Sequence, residues 1–158
     1  MTYKIGEMIE SLNVPMTSGE TFSIEDYRGK KLVLYFYPKD NTPGCTSESK
    51  DFSRLYPEFV KNNALVFGVS KDSLKSHQNF KAKYDMPFEL IADVDKLICE
   101  AFGVLKEKSM FGKKYMGIER STFVIDENGR LVKHWAKVKV SGHAEEVLDY
   151  IKSDQINE

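Results

Sequence analysis

Cys45 stands in the run Tyr37-Pro38-Lys39-Asp40-Asn41-Thr42-Pro43-Gly44-Cys45-Thr46, where two prolines, a glycine and two threonines surround one thiol. An apolar strand-like run precedes this stretch and a helical pattern follows it, so Cys45 falls at or just inside a helix N-terminus. The first amides of a helix have no intrahelical acceptor and the helix dipole is positive there, so an anion is favoured. A thiolate so placed can form with a pKa of roughly 3.5–7.5 instead of about 8.5, and the thiolate is the nucleophile. Thr42 offers a hydroxyl that can donate to the sulfur or accept from a protonated substrate oxygen. Pro43 suits a helix start, where no N–H is needed. Gly44 lets backbone approach a ligand closely. The N–H groups of Gly44 and Cys45 are placed to polarise an incoming oxygen. A lone cysteine is more often a small buried hydrophobe. The loop chemistry around this one brings the two readings level.

The elements that must hold this loop are legible on either side. Lys31–Tyr37 is a continuous aliphatic and aromatic run, the pattern of a strand buried on both faces. From Thr46 the spacing of Phe52, Leu55, Tyr56 and Phe59 predicts one apolar helix face, with Pro57 expected to kink or end it. Ala64–Ser70 reads as a second core strand. A helix follows to about Tyr84, with Asp72 or Ser73 as its N-cap. Phe88–Ile91 reads as a short strand and Asp95–Phe102 as a helix closed by Gly103. Ser121–Ile125 and Leu131–Trp135 read as strands joined by a turn at Asp126–Gly129. Glu145–Ile151 reads as a last amphipathic helix. The order predicts an α/β domain whose central mixed β-sheet begins parallel, ends in an antiparallel hairpin and carries helices on both faces.

The bulk properties narrow the function. The chain has 158 residues, 41% hydrophobic and 30% charged, with a net charge of −1. One domain spanning 1–158 can bury a core of ordinary size without disulfides or metals. The balanced charge offers no field for nucleic acid or anionic lipid. No apolar run approaches the roughly 20 residues of a membrane span, and no secretory signal is apparent, so a cytoplasmic location is expected.

Cys45 and Cys99 are the two cysteines. There is no C-x-x-C pair, and His77, His134 and His143 all lie far from both cysteines in sequence, so no metal is expected. A cysteine hydrolase needs a histidine base beside the thiol, and none is indicated. A thioredoxin-type disulfide exchanger would carry a second cysteine where Thr42 stands. Cys99, on the apolar side of its short helix, reads as a packed core thiol. Arg120, taken alone, reads as a surface arginine at a strand start.

Pro38, Thr42 and Cys45 form the pattern P-x-x-x-T-x-x-C, which resembles the active-site signature of the peroxiredoxins. The fuller FYPKDNTPGCT at Phe36–Thr46 is similar to the bacterioferritin comigratory protein, or Q-type, branch. Lys106–Lys114 and Gly117–Asp126 resemble later blocks of the same branch, so the likeness covers nearly the whole chain. The resemblance implies a thioredoxin-like fold and a thiol peroxidase reducing hydrogen peroxide and organic hydroperoxides through a sulfenic acid at Cys45. It implies that Arg120 points into the pocket, where a permanent cation favours the thiolate and binds peroxide. It implies that Pro38 shields and shapes the pocket and that Glu48 orients Arg120.

No cofactor is implied. The branch's usual resolving cysteines correspond to Lys50 and Lys81 here, so a one-cysteine cycle is expected, completed by thioredoxin, glutaredoxin or a low-molecular-weight thiol. Cys99 is not expected to serve as a resolving cysteine. The branch suggests a monomer or weak dimer. The alternative is a thioredoxin-fold redox sensor or chaperone that does not turn over.

Overall fold

The structure, a computed structural model, describes residues 2–10 and 12–156. The chain opens with the small hairpin β1 (Val14–Pro15) and β2 (Thr21–Phe22). β3 (Lys31–Phe36) leads through the Cys45 loop into α1 (Pro43–Lys61), which returns to β4 (Ala64–Ser70). Then come α2 (Leu74–Lys83), β5 (Leu90–Ala92) and α3 (Leu97–Ala101). A second hairpin, β6 (Leu105–Met110) and β7 (Lys113–Ile118), precedes β8 (Ser121–Ile125), β9 (Leu131–Trp135) and α4 (His143–Ile156).

Five strands form the central sheet in the order β5-β4-β3-β8-β9. β3, β4 and β5 run parallel, while β8 is antiparallel to β3 and β9 to β8. This is the mixed sheet of a thioredoxin-like fold, as expected. Alternation along β3 divides the core in two. Val33, Tyr35 and Tyr37 face Phe52 and Phe59 of α1, Phe80 of α2, and Val147 and Ile151 of α4. Leu32, Leu34 and Phe36 face the opposite way, toward Ile98, Cys99 and Phe102, with Ile9, Val14, Met16 and Phe22 closing that side. Among the described residues helices therefore cover both faces, but unequally: α1, α2 and α4 lie on one, and the short α3, a 3-10 turn at Ile24–Tyr27 and the N-terminal segment on the other.

Three local readings need correction. Pro57 does not end α1, which continues to Lys61. A proline inside a helix costs about 3 kcal/mol, but burying Phe52 and Phe59 against the sheet contributes roughly 1.5–3 kcal/mol for each ring. The Asp126–Gly129 connection is a four-residue turn in which Gly129 alone has positive φ (88°). Asp126 stabilises it by accepting from the amides of Asn128 and Arg130, both at 2.9 Å. The third strand of the parallel set is Leu90–Ala92, which begins two residues later and ends one residue later than the pattern suggests.

The predicted N-cap of α2 is resolved in favour of Ser73, whose hydroxyl accepts from the Ser76 amide. The β6–β7 hairpin has no counterpart in the sequence reading. Its residues are mostly exposed and rich in lysine, so no apolar alternation marks it, and it turns at Phe111 and Gly112, both with positive φ.

Candidate active site

The strand register decides which residues meet. Phe36 pairs with Val69 on one side and with Ser121 on the other. Tyr37 makes the last ladder bond, its amide donating to the Val69 carbonyl. Pro38 has no amide to continue the ladder, so the chain leaves the sheet there. Arg120 directly precedes Ser121 and so enters at the same end of the sheet. The site therefore sits at the carboxyl end of the parallel strands, where open α/β sheets bind ligands.

α1 begins at Pro43, with Thr42 as its N-cap residue in extended conformation. The first intrahelical bond runs from the Thr46 amide to the Thr42 carbonyl at 2.8 Å. The amides of Gly44 and Cys45 lie ahead of it and have no acceptor within the helix. Cys45 is 1% exposed. Arg120 Nη2 donates to Cys45 Sγ at 3.4 Å, and Arg120 Nη1 donates to Glu48 Oε1 at 2.6 Å. One guanidinium thus spans a thiol and a carboxylate that stand one helical turn apart on α1, a task for a planar fork rather than a point charge. Gly44 is where this fork comes closest to the backbone: a Cβ there would stand 3.2 Å from Arg120 Nη2.

Glu48 is buried, and its Oε2 has no hydrogen-bond partner among the described residues. Burial pushes its carboxyl up to about 7, against the opposing pull of Arg120. For Arg120 burial works against the charge, but Glu48 and Cys45 outweigh it and hold the guanidinium protonated more firmly than usual. Thr42 lies on the loop as predicted, but its hydroxyl donates to the Lys39 carbonyl at 2.8 Å. With its proton committed, the hydroxyl retains lone pairs and is set to accept, not to donate to sulfur. Pro38 is half-buried at the end of β3.

Cys99 lies elsewhere. It packs with Leu34, Phe36 and Phe102 on the far face of the sheet from Cys45. Burial first, and then Asp93, push its thiol well up.

A second polar cluster lies beneath the loop and escaped the sequence reading. Tyr37, Asp40, Asp72, Ser76 and His77 converge there from three segments. Asp40, Asp72 and His77 place ligand-type atoms within 4.8 Å of one another. These atoms already serve Tyr37, Ser76, Ser70 and the Asp40 amide, so a cation would have to displace bonds that are made. No sequence signal joins Asp40 to His77, because the contact arises only when β3 and α2 are assembled.

The model of the AhpC/TSA family matches residues 5–134. The chain belongs to this family of thioredoxin-fold peroxiredoxins. Peroxiredoxin Bcp of Bacillus subtilis is 50% identical over 152 residues, covering 96% of this chain and 97% of that protein. Peroxiredoxin Bcp of Xanthomonas campestris is 50% identical over 142 residues, covering 90% of this chain and 89% of that one. Among solved structures, a cysteine-to-serine variant of Xylella fastidiosa PrxQ superposes with a TM-score of 0.93 at 44% identity, over 98% of this chain and 99% of the other. A trapped intermediate/ligand complex of Xanthomonas campestris bacterioferritin comigratory protein, studied for alkyl peroxide reduction, gives 0.87 at 45% identity, over 94% and 99%. The Bcp, or Q-type, branch is thus the part of the family to which the chain is related, and the expected enzyme class is borne out: a thiol peroxidase that takes a hydroperoxide and a thiol reductant.

Proposed function

We propose that Cys45 is the sulfur that attacks the peroxide and that Arg120, Thr42 and the free amides of Gly44 and Cys45 hold it there. The observation that carries this reading is the contact of Arg120 Nη2 with Cys45 Sγ at the first turn of α1. The Cys45 thiolate attacks the terminal oxygen of R–O–O–H. An S–O bond forms as the O–O bond breaks, leaving Cys45 as sulfenic acid and releasing RO⁻, which takes up a proton. Arg120 and the helix-start amides stabilise the charge as it passes from sulfur to the leaving oxygen. Thr42 accepts from the peroxide O–H and aligns the O–O bond with the sulfur. Pro38 and Gly44 shape the wall, and Glu48 aims Arg120.

The cycle proceeds with one cysteine. A first external thiol condenses with the sulfenic acid, releasing water and forming a mixed disulfide. A second thiol releases Cys45 in reduced form. Three observations support this. Lys50 is exposed on α1 and carries no thiol. The Xanthomonas campestris neighbours include serine variants of two different cysteines, and the same separation counted from Cys45 leads to Lys81. Lys81 donates to the Phe88 carbonyl and to Glu89. Cys99 is across the sheet from Cys45. The reductant is thioredoxin, glutaredoxin or a small thiol, and two free thiols suit work in the reducing cytoplasm. Among the described residues no helix is long and apolar enough to cross a membrane.

Peroxide consumption with a supplied thiol, measured for Cys45→Ser and Cys99→Ser, tests the assignment. Loss in the first and retention in the second are expected; turnover by Cys45→Ser would overturn it.

A further inference from the structure

Between β3 and α1 the chain must reverse while holding Thr42 at a defined distance from Cys45. Nothing covalent fixes that turn, and Asn41 within it adopts a left-handed conformation (φ 64°). What anchors it is Asp40. Its Oδ1 accepts from the Tyr37 hydroxyl at 2.6 Å and its Oδ2 from the Ser76 hydroxyl at 2.8 Å. The same Oδ2 lies 2.8 Å from His77 Nδ1. His77 is fully buried, and its Nε2–H donates to the Ile91 carbonyl of β5 at 2.9 Å. The Asp40 amide donates to Asp72 Oδ2 at 3.0 Å, and the Ser70 hydroxyl holds that carboxylate in turn.

Every polar atom of the Asp40 side chain is therefore engaged, and the engagement ties the β3–α1 loop to α2, to the end of β4 and to β5. A buried carboxylate and imidazole are costly to desolvate, and a well-packed apolar pair would serve stability as well or better. Both His77 nitrogens face acceptors, so the network is satisfied when each carries a proton, and so satisfied it confines the loop to one conformation.

We propose that Asp40 and His77 are positioning residues: through the loop they set where the Thr42 hydroxyl meets the peroxide, without touching substrate or Cys45 themselves. The chain of contacts is short. Asp40 is fixed, Lys39 directly precedes it, and the Lys39 carbonyl takes the Thr42 proton at 2.8 Å. A loosened Asp40 frees that carbonyl and lets the Thr42 hydroxyl rotate away from its accepting role. Misplacement of about 1 Å at a reacting centre can cost on the order of a hundredfold in rate. Arg120, Glu48 and the helix-start amides do not depend on Asp40, so the reactivity of the sulfur toward an ordinary electrophile should be untouched. The proposal rests on the reading of Cys45 as the peroxide-reducing sulfur.

The test compares two reactions of Cys45 in Asp40→Asn, His77→Gln and His77→Ala, each checked for wild-type secondary structure and melting. The peroxide rate constant should fall about tenfold or more in Asp40→Asn and His77→Ala, and less in His77→Gln, whose amide can still donate to Ile91. Iodoacetamide alkylation, which needs the thiolate but not Thr42, should stay within about twofold of wild type. Hydrogen exchange of the Asp40 amide should quicken in the same order. Unchanged peroxide rates in the folded variants would overturn the proposal, as would alkylation falling in step with peroxide reduction. The exchange readout does not need turnover. A wild-type protein inert to peroxide would defeat the peroxidase reading, while exchange unchanged in Asp40→Asn would defeat the positioning role.

Discussion

Cys45 and Cys99 belong to cores on opposite faces of the central sheet: Cys45 packs with Tyr35 and Tyr37, Cys99 with Leu34 and Phe36. β3 and Tyr37, the residue that follows it, supply these two sets of side chains, so a whole strand layer separates the thiols. A disulfide needs Cα atoms within about 7 Å, and no rotamer change can bring these two together across a hydrogen-bonded sheet.

Arg120 bridges Glu48 and Cys45 with different nitrogens of one guanidinium, and lysine has no second arm. Arg120→Lys keeps the charge and loses the fork. Removing one donor of this kind costs roughly a hundred- to a thousandfold. Stopped-flow measurement of peroxide reduction should show a loss of that order, with the melting temperature little changed. A rate within twofold of wild type would mean that charge alone suffices.

Gly44 occupies the first turn of α1, where alanine is the better helix former by about 1 kcal/mol. An alanine Cβ would stand 3.2 Å from Arg120 Nη2, and that nitrogen cannot retreat freely because its neighbour is held by Glu48. Gly44→Ala is therefore expected to be at least as stable as wild type yet about tenfold slower with peroxide. Urea unfolding and peroxide kinetics on the same sample measure both.

Glu48 makes stability depend on pH in a direction opposite to most carboxylates. Its folded-state pKa, about 7, lies above the ordinary 4.5, so the folded state holds the proton more tightly than the unfolded chain. The resulting stability is fully present below pH 4.5 and is lost as pH rises through 7, in total on the order of 3 kcal/mol. Glu48→Gln, which cannot ionise, should flatten this part of the profile and be relatively more stable at pH 8 than at pH 5. Urea midpoints at the two pH values check it; an equal shift at both would place the effect in packing.

The parts of this molecule that sequence exposes are those written locally. The β3 run, the loop residues Thr42 to Cys45 and the β8–β9 hairpin each carry their own pattern and appear where that pattern puts them. Pro57 misleads because its cost is local while its compensation, the packing of Phe52 and Phe59, is tertiary. β6 and β7 escape because strands with little buried surface have no apolar period to show. Arg120 needed the family resemblance, since its nearness to Cys45 follows from the pairing of Phe36 with Ser121. Asp40 and His77 escape for the same reason, and no motif compensates.

The central claim is that Cys45 reduces peroxide without a partner thiol in its own chain. Intact-mass and peptide spectrometry of the reduced protein after one equivalent of hydrogen peroxide tests it most directly. The expected product is a sulfenic acid at Cys45, trapped by dimedone, that converts to a mixed disulfide when a small thiol is added. A Cys45–Cys99 disulfide, or oxidation appearing first at Cys99, would contradict it.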